Sequence, residues 1–464
     1  MGREKMFSSA RARLSRRATL AGGIAALAAT SMLAACGAGA DPETGGTSFG
    51  AGDVAPPGAQ AHTELAKRLD GAPPLVIGGE RLNAGLLRRF YARHEFEPVW
   101  PGHQAQAHAL VGAVLRAGDQ GLNPGLFHAD LLRRRASLSP LDRELVLSDA
   151  FLSYAEALAR GAVPIDRRGK DEDLTPKPVN VAAVLDRAIA SAHPAAVIEA
   201  LAPTTPTYLA LLQALQRYRA GDGGTPERLR KIVVNLERQR WLPRPLPAER
   251  VWVNVANEGL VFYRDDQPLF STRVVVGEDI TINQSPEFRA TIKSVFYNPP
   301  WVIPRDIVTR EILPDIARNP KYLKQNDMIM LANGEAEQLP GPDAGLGLIM
   351  FDLPNRFDVY LHDTPDRAIF NLKDRRISHG CIRVQDPWKL AALLLRKPVE
   401  VIHQGIDHGL VTGITTQHKL PVPVPVFVVY ETAFVGVDGT LQFRPDFYHR
   451  DALIWQQLQR RPMV

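Results

Sequence analysis

The chain has 464 residues, of which 45% are hydrophobic and 23% are charged, with a formal net charge of +5 and a pI near 9.2. This length suits two or three domains, and the composition is that of ordinary globular protein. The charge does not indicate nucleic-acid binding, because residues 1–36 hold six basic side chains against one glutamate and leave the remainder neutral.

The first 36 residues have the pattern of an export signal. Basic residues precede an uncharged run, rich in Ala and Gly, at 18–35. Ser15–Leu20 resembles a twin-arginine signal, and Leu33–Cys36 resembles a bacterial lipobox in which Cys36 is lipidated. A plain cleaved signal with an incidental cysteine is the alternative, while the many small residues disfavour a retained membrane helix. The sequence predicts export to the periplasm and a lipid tether to a membrane.

The exported part divides by composition and periodicity into a helical half followed by a mainly β half. Residues 37–70 are predicted as a flexible tether, 71–225 as a helical scaffold and 226–248 as a helix with a Pro-rich connector. Alternating apolar residues predict a β domain at 249–404, and 405–464 are interpreted as a C-terminal extension. The predicted fold class is therefore α+β and multi-domain.

Local signals place individual elements. Helices are predicted to start at Thr225-Pro226 and Asp386-Pro387, where a capping residue precedes proline. Residues 298–343 are rich in Pro, Asn and Asp, which predicts a lid or substrate-binding flap. Later strands are predicted at Thr291–Tyr297, Leu346–Phe351, Asp358–His362 and Val399–His403.

Cys381 is the one cysteine beyond the N-terminal signal, and it lies in Ser378-His379-Gly380-Cys381-Ile382-Arg383. A lone thiol is unusual in an exported protein, which favours a chemical role. A thiolate is a strong nucleophile once a base takes its proton. The sequence therefore predicts a cysteine-nucleophile acyltransferase or hydrolase.

A base is available in His362, which ends a predicted strand 19 residues before Cys381. A strand end and a later loop can meet at one sheet edge, within reach for proton transfer. Gly380 has no side chain, so backbone N–H groups around it could hold a developing oxyanion.

Other interpretations of these residues remain open at this point. Cys381 could be a small buried hydrophobic residue. His362, His379 and Cys381 are also zinc-ligand types, but no fourth ligand stands at motif spacing, so neither metal nor cofactor is predicted. Arg383 fits a structural salt bridge as well as a substrate ligand.

His362-Asp363-Thr364 followed by Ser378–Arg383 resembles the signature of the bacterial L,D-transpeptidase family, in its large scaffolded branch. That branch commonly carries a helical peptidoglycan-binding module, for which this chain has only Gly221–Gly224. Its weaker motifs occur here in order: Phe90-Tyr91, Pro98, Trp100, Gly121–Pro124, Asn235–Arg238, Trp241–Pro243 and Asn298–Trp301.

The resemblance implies a peptidoglycan L,D-transpeptidase that joins a donor and an acceptor stem peptide by a 3→3 cross-link, in cell-wall biogenesis and control of cell shape. It implies Cys381 as nucleophile through a thioester, His362 as general base and acid, and His379 as helper. It further implies Gly380 and Tyr360 as oxyanion stabilisers, and Ser378, Arg383 and Trp301 as substrate-binding residues. Carbapenem-type β-lactams are the expected inhibitors.

Two rival functions stay open. Water as acceptor would make the same chemistry an L,D-carboxypeptidase or hydrolase, because acceptor choice depends on water exclusion. A non-catalytic wall-associated lipoprotein is the other, and the paired His362 and Cys381 argue against it.

Overall fold

The computed structural model describes residues 64–71, 73–169 and 172–460. The predicted signal and the predicted lipidation site, Cys36, lie outside these ranges. Within them, no helix combines the length and the apolar character needed to cross a bilayer.

The first half is mainly helical, as predicted. Its long central helix begins at Pro140, where the Ser139 side chain accepts the Asp142 N–H as a cap. The helices are α1 (Glu64–Asp70), α2 (Ala84–Tyr91), α3 (Gln104–Leu115), α4 (Ala129–Arg133), α5 (Pro140–Arg160), α6 (Val181–Ile189), α7 (Pro194–Glu199), α8 (Pro206–Arg219) and α9 (Pro226–Arg240). Three short strands accompany them: β1 (Val76–Ile77), β2 (Glu80–Arg81) and β3 (Glu172–Asp173).

The β half starts with four strands that alternate inward apolar and outward polar residues. Val251 and Val253 point into the β core while Trp252 between them is half-buried. These strands are β4 (Arg250–Asn254), β5 (Gly259–Arg264), β6 (Gln267–Gly277) and β7 (Glu287–Tyr297).

The predicted flap at 298–343 is a small subdomain, called the lid below and defined as residues 301–338. It has its own apolar cluster, which includes Ile303, Ile312 and Met328. Its elements are β8 (Trp301–Ile303), α10 (Arg305–Ile307), a π-helical turn (Val308–Ile312), α11 (Leu313–Arg318), α12 (Tyr322–Gln325), β9 (Met328–Met330) and β10 (Ala336–Gln338).

The chain then returns to the main sheet and ends on a hairpin and a helix. The sheet strands are β11 (Ile349–Asp352), β12 (Leu361–His362), β13 (Arg376–Ser378), β14 (Ile382–Val384) and β15 (Thr416–Val429). The remaining elements are α13 (Pro387–Leu395), α14 (Val399–Thr412), β16 (Ala433–Val435), β17 (Leu441–Phe443) and α15 (Arg450–Gln459).

Strand pairing closes the sheet into a ring. The order is β11-β12-β14-β6-β5-β4-β15-β7, and β7 pairs again with β11, while β3 and β13 attach outside the ring. A closed ring leaves few free edges and encloses one apolar core. Helices α13 and α14 add Leu390 and Ile402 to that core.

Three features differ from the sequence-based expectation. The end of the predicted tether 37–70 is not flexible, because Glu64–Asp70 forms α1 and buries Leu65 and Leu69 in the helical core. The strand predicted at Val399–His403 is wrong, because these residues open the helix α14. Beyond the predicted boundary at 404, β15 lies between β4 and β7 in the middle of the main sheet.

C-terminal residues also join the helical half to the sheet. The Asn235 amide of α9 donates to Thr432 Oγ1 at 2.7 Å, and Arg238 pairs with Asp451 of α15 at 2.5 Å. Phe427, from the outward face of β15, is buried in the helical core. The residues after 404 therefore complete both cores.

Candidate active site

The predicted catalytic residues lie on two neighbouring parallel strands. In the pairing of β12 with β14, Leu361 is opposite Ile382 and His362 is opposite Arg383. Leu361 and Ile382 point into the β core. Because side chains alternate along a strand, His362, Cys381 and Arg383 project from the other face, together with Tyr360.

This register sets the spacing between the predicted nucleophile and the predicted base. Cys381 precedes Arg383 by two residues and therefore stands two positions from His362 along the paired strand. With about 6.6 Å per two residues and about 4.8 Å between strands, their Cα atoms lie roughly 8 Å apart. That separation suits two side chains that meet over the same face.

Ser378 shapes the loop between β13 and β14 that carries the thiol. Its hydroxyl donates to the Cys381 carbonyl oxygen at 2.6 Å and accepts the Gly380 N–H at 3.2 Å. Gly380 has φ +111°, a conformation that side chains disfavour. Its N–H is thus engaged by Ser378 in this state, and an oxyanion would have to take it over.

Two residues that the sequence analysis missed support this loop from behind. The Ser285 hydroxyl donates to the Gly380 carbonyl oxygen at 2.8 Å. The Tyr448 hydroxyl donates to the Gly277 carbonyl oxygen at 2.5 Å and accepts the Ser285 N–H. No spacing rule joins these positions, so the sequence offered no signal for them.

His362 is buried and electrically neutral. Its Nδ1 donates to the backbone carbonyl oxygen of Asp363 at 2.6 Å. Burial, reinforced by the nearby Arg383 charge, lowers the pKa of His362 to about 3. The ring is therefore a neutral imidazole at physiological pH, with the lone pair on Nε2 available to accept a proton.

The Cys381 thiol is half-buried, and its hydrogen bond goes to the Asp358 carbonyl oxygen at 3.9 Å. Burial raises the pKa of Cys381, while the Tyr360 N–H and the Arg383 charge act in the opposite direction. The resting pair is consequently a thiol beside a neutral imidazole rather than a thiolate–imidazolium pair.

Arg383 is a cation close to both reacting groups. Its charge acts on Cys381 and on His362, and its Nε is buried without a hydrogen-bond partner in the described part of the chain. No ion pair of Arg383 lies within 4 Å among the described residues, so the salt-bridge interpretation receives no support. A buried donor without a partner remains available to an acceptor atom of a substrate.

His379 points away from the strands toward the lid. Its Nε2 lies 2.6 Å from Oε1 of Glu311, which sits in the π-helical turn Val308–Ile312. Trp301 begins β8 at the base of the lid, where its ring packs against Gly345. Tyr360 is half-buried, and burial raises its pKa with a contribution from the Asp358 charge.

Among the described residues, no group of three or more His, Cys, Asp or Glu side chains could hold a metal ion. A cavity of about 710 Å³ lies elsewhere, over the outer face of β4, β5 and β6, and is lined by Trp252 and Glu431 but not by Cys381 or His362. The candidate chemistry therefore lies on the β12–β14 face.

Comparison with protein families decides the assignment. A model described as the L,D-transpeptidase catalytic domain, YkuD, matches residues 248–402, and a model described as the Scaffold domain matches residues 85–215. The chain therefore contains an L,D-transpeptidase catalytic domain. The helical scaffold and the mainly β catalytic domain predicted from the sequence are thereby confirmed.

Relatives agree with this assignment over part of their length. A curated protein of Haemophilus influenzae named "Putative L,D-transpeptidase" is 29% identical over 244 residues, which are 48% of each chain. The chain thus spans about half the length of that relative. A solved structure titled "Structure of the Ldtfm-avibactam carbamoyl enzyme" is 13% identical to this chain. The match covers 42% of this chain and 61% of that one, with a TM-score of 0.20.

Proposed function

We propose that this L,D-transpeptidase-family protein cross-links peptidoglycan through a thioester on Cys381. One observation carries the proposal: Cys381, His362 and Arg383 project from one face of the paired strands β12 and β14 within the family's catalytic domain. A thiol, a neutral imidazole and a buried cation on one face supply a nucleophile, a base and a charge for an oxyanion or carboxylate.

In the first step, His362 accepts the Cys381 proton as the sulfur attacks the carbonyl carbon before the terminal D-alanine of a donor stem peptide. The C–N bond then breaks, the imidazolium protonates the leaving amine, and a thioester remains. In the second step, the side-chain amine of another stem takes the acyl group and forms a 3→3 cross-link.

A disaccharide-tetrapeptide substrate tests this directly. We expect the purified protein to release D-alanine and form cross-linked dimers, detected by liquid chromatography and mass spectrometry. Cys381→Ala is expected to form neither product. Release of D-alanine with only shortened monomers would instead establish the L,D-carboxypeptidase alternative. Full activity of Cys381→Ala would refute the proposal.

The same thiol is the proposed target of carbapenem-type β-lactams, because ring opening by sulfur gives an acyl-enzyme. Intact mass spectrometry should show one adduct on the wild-type chain and none on Cys381→Ala. An adduct that persists in the variant would contradict this target.

We further propose periplasmic location with a lipid on Cys36, supported by the lipobox-like Leu33–Cys36. Such an anchor would keep the enzyme near its substrate. Cys36→Ala is expected to move the protein from the membrane fraction to the soluble fraction, and an unchanged distribution would exclude the lipid anchor.

A further inference from the structure

The lid contacts the catalytic loop through a carboxylate. Glu311 Oε1 lies 2.6 Å from Nε2 of His379, and both side chains stay partly exposed, 43% for Glu311 and 31% for His379. The two residues are 68 positions apart in sequence, with Glu311 on the lid and His379 on the β13–β14 loop. This pair is therefore open to solvent and to a ligand.

The local backbone presents Glu311 at this position. Pro314 has no N–H to donate, which interrupts regular α-helical hydrogen bonding at this point of the lid. The chain instead forms the π-helical turn Val308–Ile312, and such turns are frequent at functional sites. Ile312 and Val308 are buried in the lid cluster, which leaves Glu311 to point outward.

The pair also belongs in part to the loop that carries the reacting sulfur. His379 is two residues from Cys381, so their Cα atoms are separated by no more than about 7 Å. His362 and Arg383 lie on the paired strands, whereas Glu311 lies on the lid and reaches the loop that carries the sulfur through His379. One carboxylate and one imidazole therefore lie on the lid side of the loop that carries the thioester.

We propose that Glu311, together with His379, binds the amine of the acceptor stem peptide and so directs the thioester toward transfer rather than hydrolysis. The inference rests on the proposed function, because it assigns the acceptor side of the same site. A primary amine is an ammonium ion at neutral pH, and a carboxylate is its complementary ligand.

The transfer step balances with this pair as the proton acceptor. The ammonium gives one proton to the Glu311–His379 pair, and the freed nitrogen lone pair attacks the thioester carbonyl carbon. The C–N bond forms, the C–S bond breaks, and the electron pair returns to Cys381. The second proton moves from nitrogen to sulfur and restores the thiol, and the pair releases the first proton to solvent.

The test measures how the acyl-enzyme on Cys381 divides between transfer to an amine and hydrolysis by water. With disaccharide-tetrapeptide as donor and acceptor, we compare D-alanine release with the ratio of cross-linked dimer to tripeptide monomer. Glu311→Gln keeps the size and hydrogen-bonding capacity of the side chain but removes the charge. We expect D-alanine release in the first turnover, which precedes acceptor attack, to persist, and the dimer-to-monomer ratio to fall by roughly tenfold or more, the size of one lost charge-assisted hydrogen bond.

Glu335→Gln is the matched control, because Glu335 lies on the same lid and bonds only locally to Asn333. Its ratio should stay at the wild-type value. An unchanged ratio in Glu311→Gln, an equal fall in both variants, or an equal slowing of D-alanine release and dimer formation would overturn the acceptor role. Absence of D-alanine release by the wild-type protein would instead overturn the proposed function.

Discussion

His362 donates its Nδ1 proton to the carbonyl oxygen of the next residue, Asp363, at 2.6 Å. Because a carbonyl oxygen only accepts, this bond requires the Nδ1–H tautomer and leaves the lone pair on Nε2. The chain that carries the ring thus fixes the tautomer that the proposed base role requires. The pKa directions of both partners follow from this buried setting.

The first prediction concerns the pH dependence of the thiol. The pKa of His362 is lowered to about 3 and that of Cys381 is raised, so neither group titrates near pH 6.5. Iodoacetamide alkylation of Cys381 should therefore rise by roughly tenfold per pH unit from pH 6 to 9, as the thiolate fraction does.

Alkylation is followed by intact mass spectrometry in a Cys36→Ser background, so that the measured adduct is on Cys381. A plateau already reached between pH 5 and 7 would indicate a thiolate–imidazolium pair and contradict the neutral resting state.

The second prediction concerns Arg383, whose charge lowers the pKa of Cys381. Arg383→Met should raise that pKa and slow alkylation at pH 8, whereas Arg383→Lys keeps a positive charge and should stay closer to wild type. The measurement is again adduct formation against time. Equal rates in the Met variant and the wild type would show that the guanidinium does not act on the sulfur.

The third prediction tests the support of His362. Gly347 has φ +64°, and a Cβ there would lie 2.6 Å from the Asp363 side chain and from the Thr364 nitrogen. Gly347→Ala should therefore displace the segment after His362 and lower D-alanine release by about 100-fold, the cost of a misplacement near 1 Å.

Gly334→Ala is the control, because Gly334 has a similar φ of +83° but only the Arg305 side chain near 4 Å. Both variants carry about 1 kcal/mol of left-handed strain, so comparable activity losses would mean that strain rather than the close contact is responsible.

The fourth prediction concerns the stability of the scaffold. His128 is buried between Asp149 and Glu80, each at 2.7 Å. Burial alone would lower the pKa of His128, but the hydrogen bonds to both carboxylates outweigh it and raise the pKa to about 9. A raised histidine pKa stabilises the fold fully below about pH 6.5 and loses that stabilisation as pH rises through about 9.

The full loss corresponds to roughly 3 kcal/mol of unfolding free energy. Urea unfolding at pH 6.5 and pH 9.5, followed by circular dichroism, should show this loss in the wild type and a much smaller one in His128→Gln. The same pH dependence in both proteins would assign the effect to other groups.

Much of the site was predictable because its chemistry lies in short motifs. His362, Gly380 and Cys381 were predicted from residue types and spacing, and Ser378 and His379 from the family resemblance. Glu311 was not, because its position depends on how the lid folds back over the loop. The neutral state of His362 was also hidden, since burial is a tertiary property.

The fold was predictable where periodicity was clean and not where local signals conflicted. The helix Pro226–Arg240 was correct from its Thr-Pro start. Val399 and Val401 suggested a strand, yet they lie in α14. Pro421 and Pro423 lie within β15, where proline is disfavoured in a central strand, and they fall where the pairing of β15 with β7 shifts register, between Lys419 and Val424.

The central position of β15 has a consequence for the order of folding during synthesis. Residues 250–297 leave the ribosome long before β15, the strand that lies between β4 and β7. The edges of β4 and β7 therefore stay unpaired while most of the domain is translated. Ring closure is therefore a late event, and a chain stalled before residue 429 would be a substrate for chaperones or proteases.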